Sequence, residues 1–115
     1  MFSPARVPPR FQAEYSPALA LRPSQIRATS MDGALMIPAA LGLCRHYKDL
    51  TLPVVILAGD GDKIVFKRRA KQLRDSIRGS VLQIVKGAGH MVHHVAARQV
   101  AQAVESVIEA SLIRA

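Results

Sequence analysis

Residues 53–62, PVVILAGDGD, decide how the chain reads. VVILA is a short unbroken apolar run, rich in β-branched residues, that ends in a turn of glycines and aspartates. Such a run reads as a strand buried on both faces, the pattern of parallel sheets. A second run, VLQIV at 81–85, ends in the same manner at KGAGH, residues 86–90. Between them Phe66, Ala70, Leu73 and Ile77 recur at helical spacing, which predicts a helix over 66–77 with one buried stripe. After the second run, Ala96, Val100, Ala103, Val104, Val107 and Ile108 share one stripe, which predicts a long amphipathic helix from about Val92 to Ile113. The order strand, helix, strand, helix places the chain in the α/β class, as a βαβ unit with a covering helix.

Upstream of Pro53 the character changes. Proline interrupts the chain at 4, 8, 9, 17, 23 and 38, and the apolar spacing suggests short helices. PSQIRATSMDGALM opens with Ser24 as an N-cap and sets Ile26, Met31, Leu35 and Met36 roughly on one side. PAALGLCRHYKDL reads as a second helix with Pro38 in its first turn. The organisation is thus a helix-rich segment over 1–50 and a βαβα segment over 51–115.

The composition narrows the function classes. The 115 residues are half apolar and suit one compact domain. No apolar run approaches the ~20 residues of a membrane span. Cys44 is the single cysteine, so no internal disulfide forms, and it is expected to pack in its apolar segment. MFSPARVPPRFQ carries arginine and no acid, as transit peptides do, but it is proline-rich and has no amphipathic face. A cytoplasmic location is expected. The net charge of +8 is concentrated in KIVFKRRAKQLR, where Lys63, Lys67, Arg68, Arg69, Lys71 and Arg74 meet no acid. A nucleic-acid-binding domain would use such a cluster on phosphates. Aromatic residues for base stacking are only 4% of the chain, and the cluster is better explained as the wet face of the helix over 66–77.

Asp62 and His90 each follow one of the two strands, in loops at the same sheet edge. Parallel strands joined by a right-handed crossover lie close enough for such loops to converge. An aspartate that accepts a hydrogen bond from one imidazole nitrogen fixes the tautomer and stabilises the imidazolium formed when the other nitrogen takes a proton. That is the acid–histidine part of a nucleophilic triad. Asp60 is the competing acid, two residues earlier, and is expected to bond local backbone in the turn. His90 and His94 stand four apart, but zinc needs at least three protein ligands, and only the adjacent His93 offers itself. His46 reads as a surface or half-buried residue, and Met31, Met36 and Met91 as lining or core.

LPVVILAGDGDKIV, then GSVLQIVKGAGHMVHH, then VAQAVESVIE resemble the C-terminal part of an α/β-hydrolase. The resemblance covers roughly residues 50–110. It implies that Gly59-Asp60-Gly61-Asp62-Lys63-Ile64-Val65 is the loop carrying the triad acid, at Asp62, and that Gly87-Ala88-Gly89-His90 carries the catalytic histidine. It also implies that RPSQIRA and RHYKDL end a helical cap over the active site, so that 1–50 is cap-like. Ala97 stands where the family often has proline. The implied activity is hydrolysis of an ester or similar small apolar substrate, with no cofactor.

The family's nucleophile sits in a G-x-S-x-G elbow, and no such run, nor an aspartate or cysteine equivalent, occurs in these residues. Two strands buried on both faces also leave two apolar sheet edges open. Isolated two-stranded pairings are marginal, so the sheet is expected to be completed by an N-terminal half or by a partner chain. Taken alone, the chain is expected to be inactive. The alternative reading is a non-catalytic remnant or interaction module that completes its sheet with a partner.

Overall fold

Two five-residue strands, β1 (Val55–Gly59) and β2 (Val81–Val85), pair in parallel with Val55 opposite Val81 and Gly59 opposite Val85. They belong to a computed structural model that describes residues 1–114. Among the described residues this is a mixed α/β chain with a two-stranded sheet. Helix α4 (Lys67–Ser76) makes the crossover, anchored by Ala70 within it and by Ile77 at its C-cap, each 5% exposed. Leu73 is half-buried, but Phe66, expected at the start of the same stripe, caps the helix and is 64% exposed. Its backbone has left the helical region there, so the stripe's geometry no longer governs where the ring goes.

The predicted final helix is two elements, α5 (Val92–Val95) and α6 (Ala97–Arg114). Ala96 breaks them with φ −129° and ψ 40°, outside the helical region. The break lets α5 stay with the histidine loop while α6 runs across the sheet. Val85, Ala88 and Val92 form the buried cluster, and Leu57, Val95, Ala96 and Val100 pack on it. Farther along α6, Ala103 is buried and Val107 half-buried, but Val104 and Ile108 of the same stripe are each 54% exposed. The stripe is wider than the sheet present to cover it. For the same reason the expected burial on both faces of the strands is incomplete: β1 is mostly half-buried, and Val81 of β2 is exposed.

Upstream lie α1 (Pro9–Glu14), α2 (Pro17–Ala20) and α3 (Pro23–Leu43), followed by a 310 turn at Cys44–Asp49. The two helices expected over 23–50 are one helix, α3, which continues through Pro38. Pro38 deprives the Ala34 carbonyl of its partner, and no residue of α3 is buried, so water can reach that carbonyl. Arg22, not Ser24, is the N-cap, because Pro23 takes the first helical position, where its missing N–H is not needed. Met31 and Met36, expected in lining or core, are 56% and 66% exposed, while Met91 is half-buried. Cys44, expected to pack, is exposed, with Sγ 3.1 Å from the Leu41 carbonyl oxygen. The radius of gyration is 16.4 Å, against about 13 Å for a compact chain of this length. No helix among the described residues is long and apolar enough to cross a membrane.

Gly59 closes β1 where a side chain has no room: a Cβ there would run into the backbone carbonyls of Ala88 and Gly89. Gly59→Ala is therefore expected to destabilise the chain by about 1–3 kcal/mol. Gly33, inside α3 with nothing near its virtual Cβ, gives the opposite sign: Gly33→Ala should stabilise by about 0.5–1 kcal/mol. Urea unfolding of both variants against the parent checks the pair.

Candidate functional site

The level ends of β1 and β2 send two loops off the same sheet edge, and backbone hydrogen bonds tie those loops together. Asp60 N–H donates to the Val85 carbonyl at 3.1 Å, and Gly61 N–H donates to the Ala88 carbonyl at 3.0 Å. Asp62 and His90 meet just beyond: His90 Nδ1 lies 2.9 Å from Asp62 Oδ2. The other carboxylate oxygen, Oδ1, accepts the backbone N–H groups of Ile64 at 2.8 Å and Val65 at 2.9 Å. Both oxygens are thus engaged, Oδ1 by amides of its own loop and Oδ2 by the imidazole.

The Asp62 side chain is 7% exposed and that of His90 34%. Burial pushes the Asp62 carboxyl upward. The hydrogen bond with His90, the N–H groups of Val65 and Ile64 and the charge interaction with His90 outweigh it and hold the pKa below the ordinary 3.8. Asp62 is accordingly an anion near neutral pH. With Nδ1 donating to that anion, a neutral His90 presents Nε2 as a free acceptor. An imidazole in this state can take a proton from a neighbouring group and return it, with Asp62 stabilising the cation in between.

Asp62 and His90 both line a groove of about 500 Å³ whose walls include Ile56, Leu57, Val65 and Val100. Arg69 of α4 lines it too, a placement hidden in the sequence by the helix's general basic character. All the basic residues of α4, Arg69 included, are exposed, and its buried residue is Ala70.

Asp60 departs from its expected role. Its Oδ1 accepts the Gly87 N–H at 2.8 Å, so its partner lies 27 residues away in the histidine loop instead of in its own turn. His94 turns away from the groove and sits among the rings of Phe2, Phe11 and His93, at centroid distances of 5.9, 4.9 and 4.3 Å. Among the described residues no group of three or more His, Cys, Asp or Glu stands together to hold a metal. His46 is exposed, 3.5 Å from Asp49.

Met1–Pro4 form a strap that no pattern in the sequence announces. Phe2 is 9% exposed and stacks edge-on against Phe11 at 4.8 Å. The Met1 carbonyl accepts the Met91 N–H at 3.3 Å. The strap's main chain lies so close over Gly89 that a Cβ there would collide with the carbonyls of Ser3, Met1 and Phe2. The second glycine of GAG therefore admits a crossing segment. The pairing of Phe2 with Phe11 leaves no signature in the order of residues.

No protein-family model matches the chain, and comparison with curated proteins gives no match.

The depressed pKa of Asp62 has a consequence with a definite sign. A carboxyl that is more acidic folded than unfolded stabilises the fold above the unfolded value, and this contribution is lost as pH falls through 3.8 toward the folded pKa. The urea midpoint of the parent should therefore drop between neutral pH and about pH 3, and Asp62→Asn should drop less steeply. Equal slopes would mean that Asp62 is not held in the folded state by these bonds.

Proposed function

We propose that the chain is the C-terminal part of an α/β-hydrolase, preceded by cap-like helices, and that it supplies the acid and the histidine of a triad whose nucleophile lies outside these residues. The observation that carries this reading is the 2.9 Å contact between Asp62 and His90 at the carboxyl ends of two adjacent parallel strands. It is supported by the chain order, acid before histidine, and by the groove that both residues line.

In this reading His90 Nε2 takes the proton of the attacking nucleophile and then delivers it to the leaving group. Asp62 holds the ring and balances its charge. The apolar walls of Ile56, Leu57, Val65 and Val100 suit an ester or a similarly activated small apolar substrate. The chemistry needs no cofactor. Without a nucleophile the chain alone is inactive. Removing one triad member leaves a residual ~10³–10⁴-fold of catalysis from the oxyanion hole and binding. In this reading the donors of that hole also come from the missing half.

A second reading, a non-catalytic module that completes its sheet with a partner chain, rests on one observation. Val81, Val104 and Ile108 are each more than half exposed beside a two-stranded sheet. A partner that extended the sheet would cover them.

The test is to read the coding DNA upstream of Met1 for a G-x-S-x-G run about a hundred or more residues away, and to express the longer polypeptide. It should hydrolyse p-nitrophenyl acetate, and Asp62→Asn should lower turnover by about 10⁴, the loss a wrong imidazole tautomer causes in a serine protease. A near-parental rate in Asp62→Asn, or no elbow in any frame, would overturn the proposal.

A further inference from the structure

One carboxylate of the loop that carries Asp62 has no part in the proposed mechanism. Asp60 is exposed and does not touch His90, yet its Oδ1 takes the Gly87 N–H at 2.8 Å across the gap between the two loops. Gly87 has φ +71°, a left-handed conformation that turns the chain sharply after β2 and that residues with a Cβ rarely adopt. The turn is pinned on both sides. Asp60 N–H reaches back to the Val85 carbonyl, and Gly61 N–H reaches forward to the Ala88 carbonyl. Residue 60 thus binds the end of β2 through its backbone and the histidine loop through its side chain. His90 begins three residues beyond the pinned turn, and Asp62 two residues beyond the pinning residue.

We propose that Asp60 is a positioning residue: its carboxylate clasps the Gly87 turn and so sets the distance at which His90 meets Asp62. The inference rests on the hydrolase reading for its functional meaning, but the clasp itself is a matter of loop geometry. An ionised carboxylate on a backbone N–H is a charge-assisted bond, stronger than a neutral one and suited to an exposed place where water competes. The two backbone bonds between the loops remain without it, so loss of the clasp loosens the turn without unpairing the strands. The two aspartates divide the work: Asp62 orients the imidazole, and Asp60 delivers the loop that carries it.

The experiment compares Asp60→Ala with Asp60→Asn, which keeps an acceptor oxygen at the same reach. In the 115-residue chain, NMR follows the titration of the Asp62 carboxyl and the exchange of the Gly87 amide. In the longer polypeptide, kcat and KM are measured with p-nitrophenyl acetate. In Asp60→Ala the Gly87 amide should exchange faster and the Asp62 pKa should rise toward its ordinary value. The kcat should fall by about 10²-fold with little change in KM, the scale of an ångström-sized misplacement. Asp60→Asn should recover most of each loss. If Asp60→Ala does not fold, Asp60→Ser, whose hydroxyl falls short of Gly87, should shift Asp62 in the same direction. Parental Asp62 titration and kcat in the Ala or Ser variant would overturn the clasp and leave Asp60 a turn residue. If Asp62 shifts as expected but the longer polypeptide with parental Asp60 hydrolyses nothing, the clasp stands and the hydrolase reading fails.

Discussion

The register of two short parallel strands governs everything that follows in this molecule. Gly59 stands opposite Val85, so β1 and β2 end level and the loops that leave them start side by side. A slip of one residue would turn every strand side chain to the other face and stagger the two loops. Two features guard that register. Leu57 packs on the cluster of Val85, Ala88 and Val92, and Gly59 leaves room for the Ala88 and Gly89 carbonyls at the strand's end. The contact of Asp62 with His90 is therefore a consequence of strand pairing as much as of the two side chains.

The site is built in layers. The strands set the level of the loops, and backbone bonds from residues 60 and 61 hold the loops together. The amides of Ile64 and Val65 hold one oxygen of the carboxylate, and the imidazole of His90 meets the other. Over this lies a segment from the other end of the chain, whose main chain crosses Gly89 and whose Phe2 reaches the rings of Phe11 and His94. Away from the site the structure loosens. α3 buries no residue, and the apolar stripe of α6 is covered only where the two strands reach it. The corner that holds Asp62 and His90 adjoins the buried cluster of Val85, Ala88 and Val92, in a chain that leaves much apolar surface open.

What the sequence made legible follows from how each signal arises. The strands, α4 and the acid and histidine loops were readable because runs, periods and glycine turns are local patterns, and local patterns record which backbone shape a segment prefers. Element ends were less legible. Ala96 breaks the last helix with no glycine or proline to announce it, and Pro38, an ordinary stop signal, sits within a helix that water surrounds. Least legible were contacts between distant residues. Asp60 looked like a turn residue because its own loop offers it amides, yet its partner is Gly87. The strap at Met1–Pro4 was invisible because nothing in MFSP specifies what it lies on. Burial of α3 and of Val104 and Ile108 was overestimated, since an apolar residue reports a tendency to be covered and not the presence of a cover.

What Asp62 does for His90 turns on which ring nitrogen carries the proton. The most direct measurement is the 15N spectrum of the His90 ring, labelled in the full chain, at a pH where the ring is neutral. Nδ1 is expected to carry the proton and Nε2 to be bare, and Asp62→Asn to abolish this preference. A ring protonated mainly on Nε2 in the parent, or a spectrum unchanged by Asp62→Asn, would contradict it.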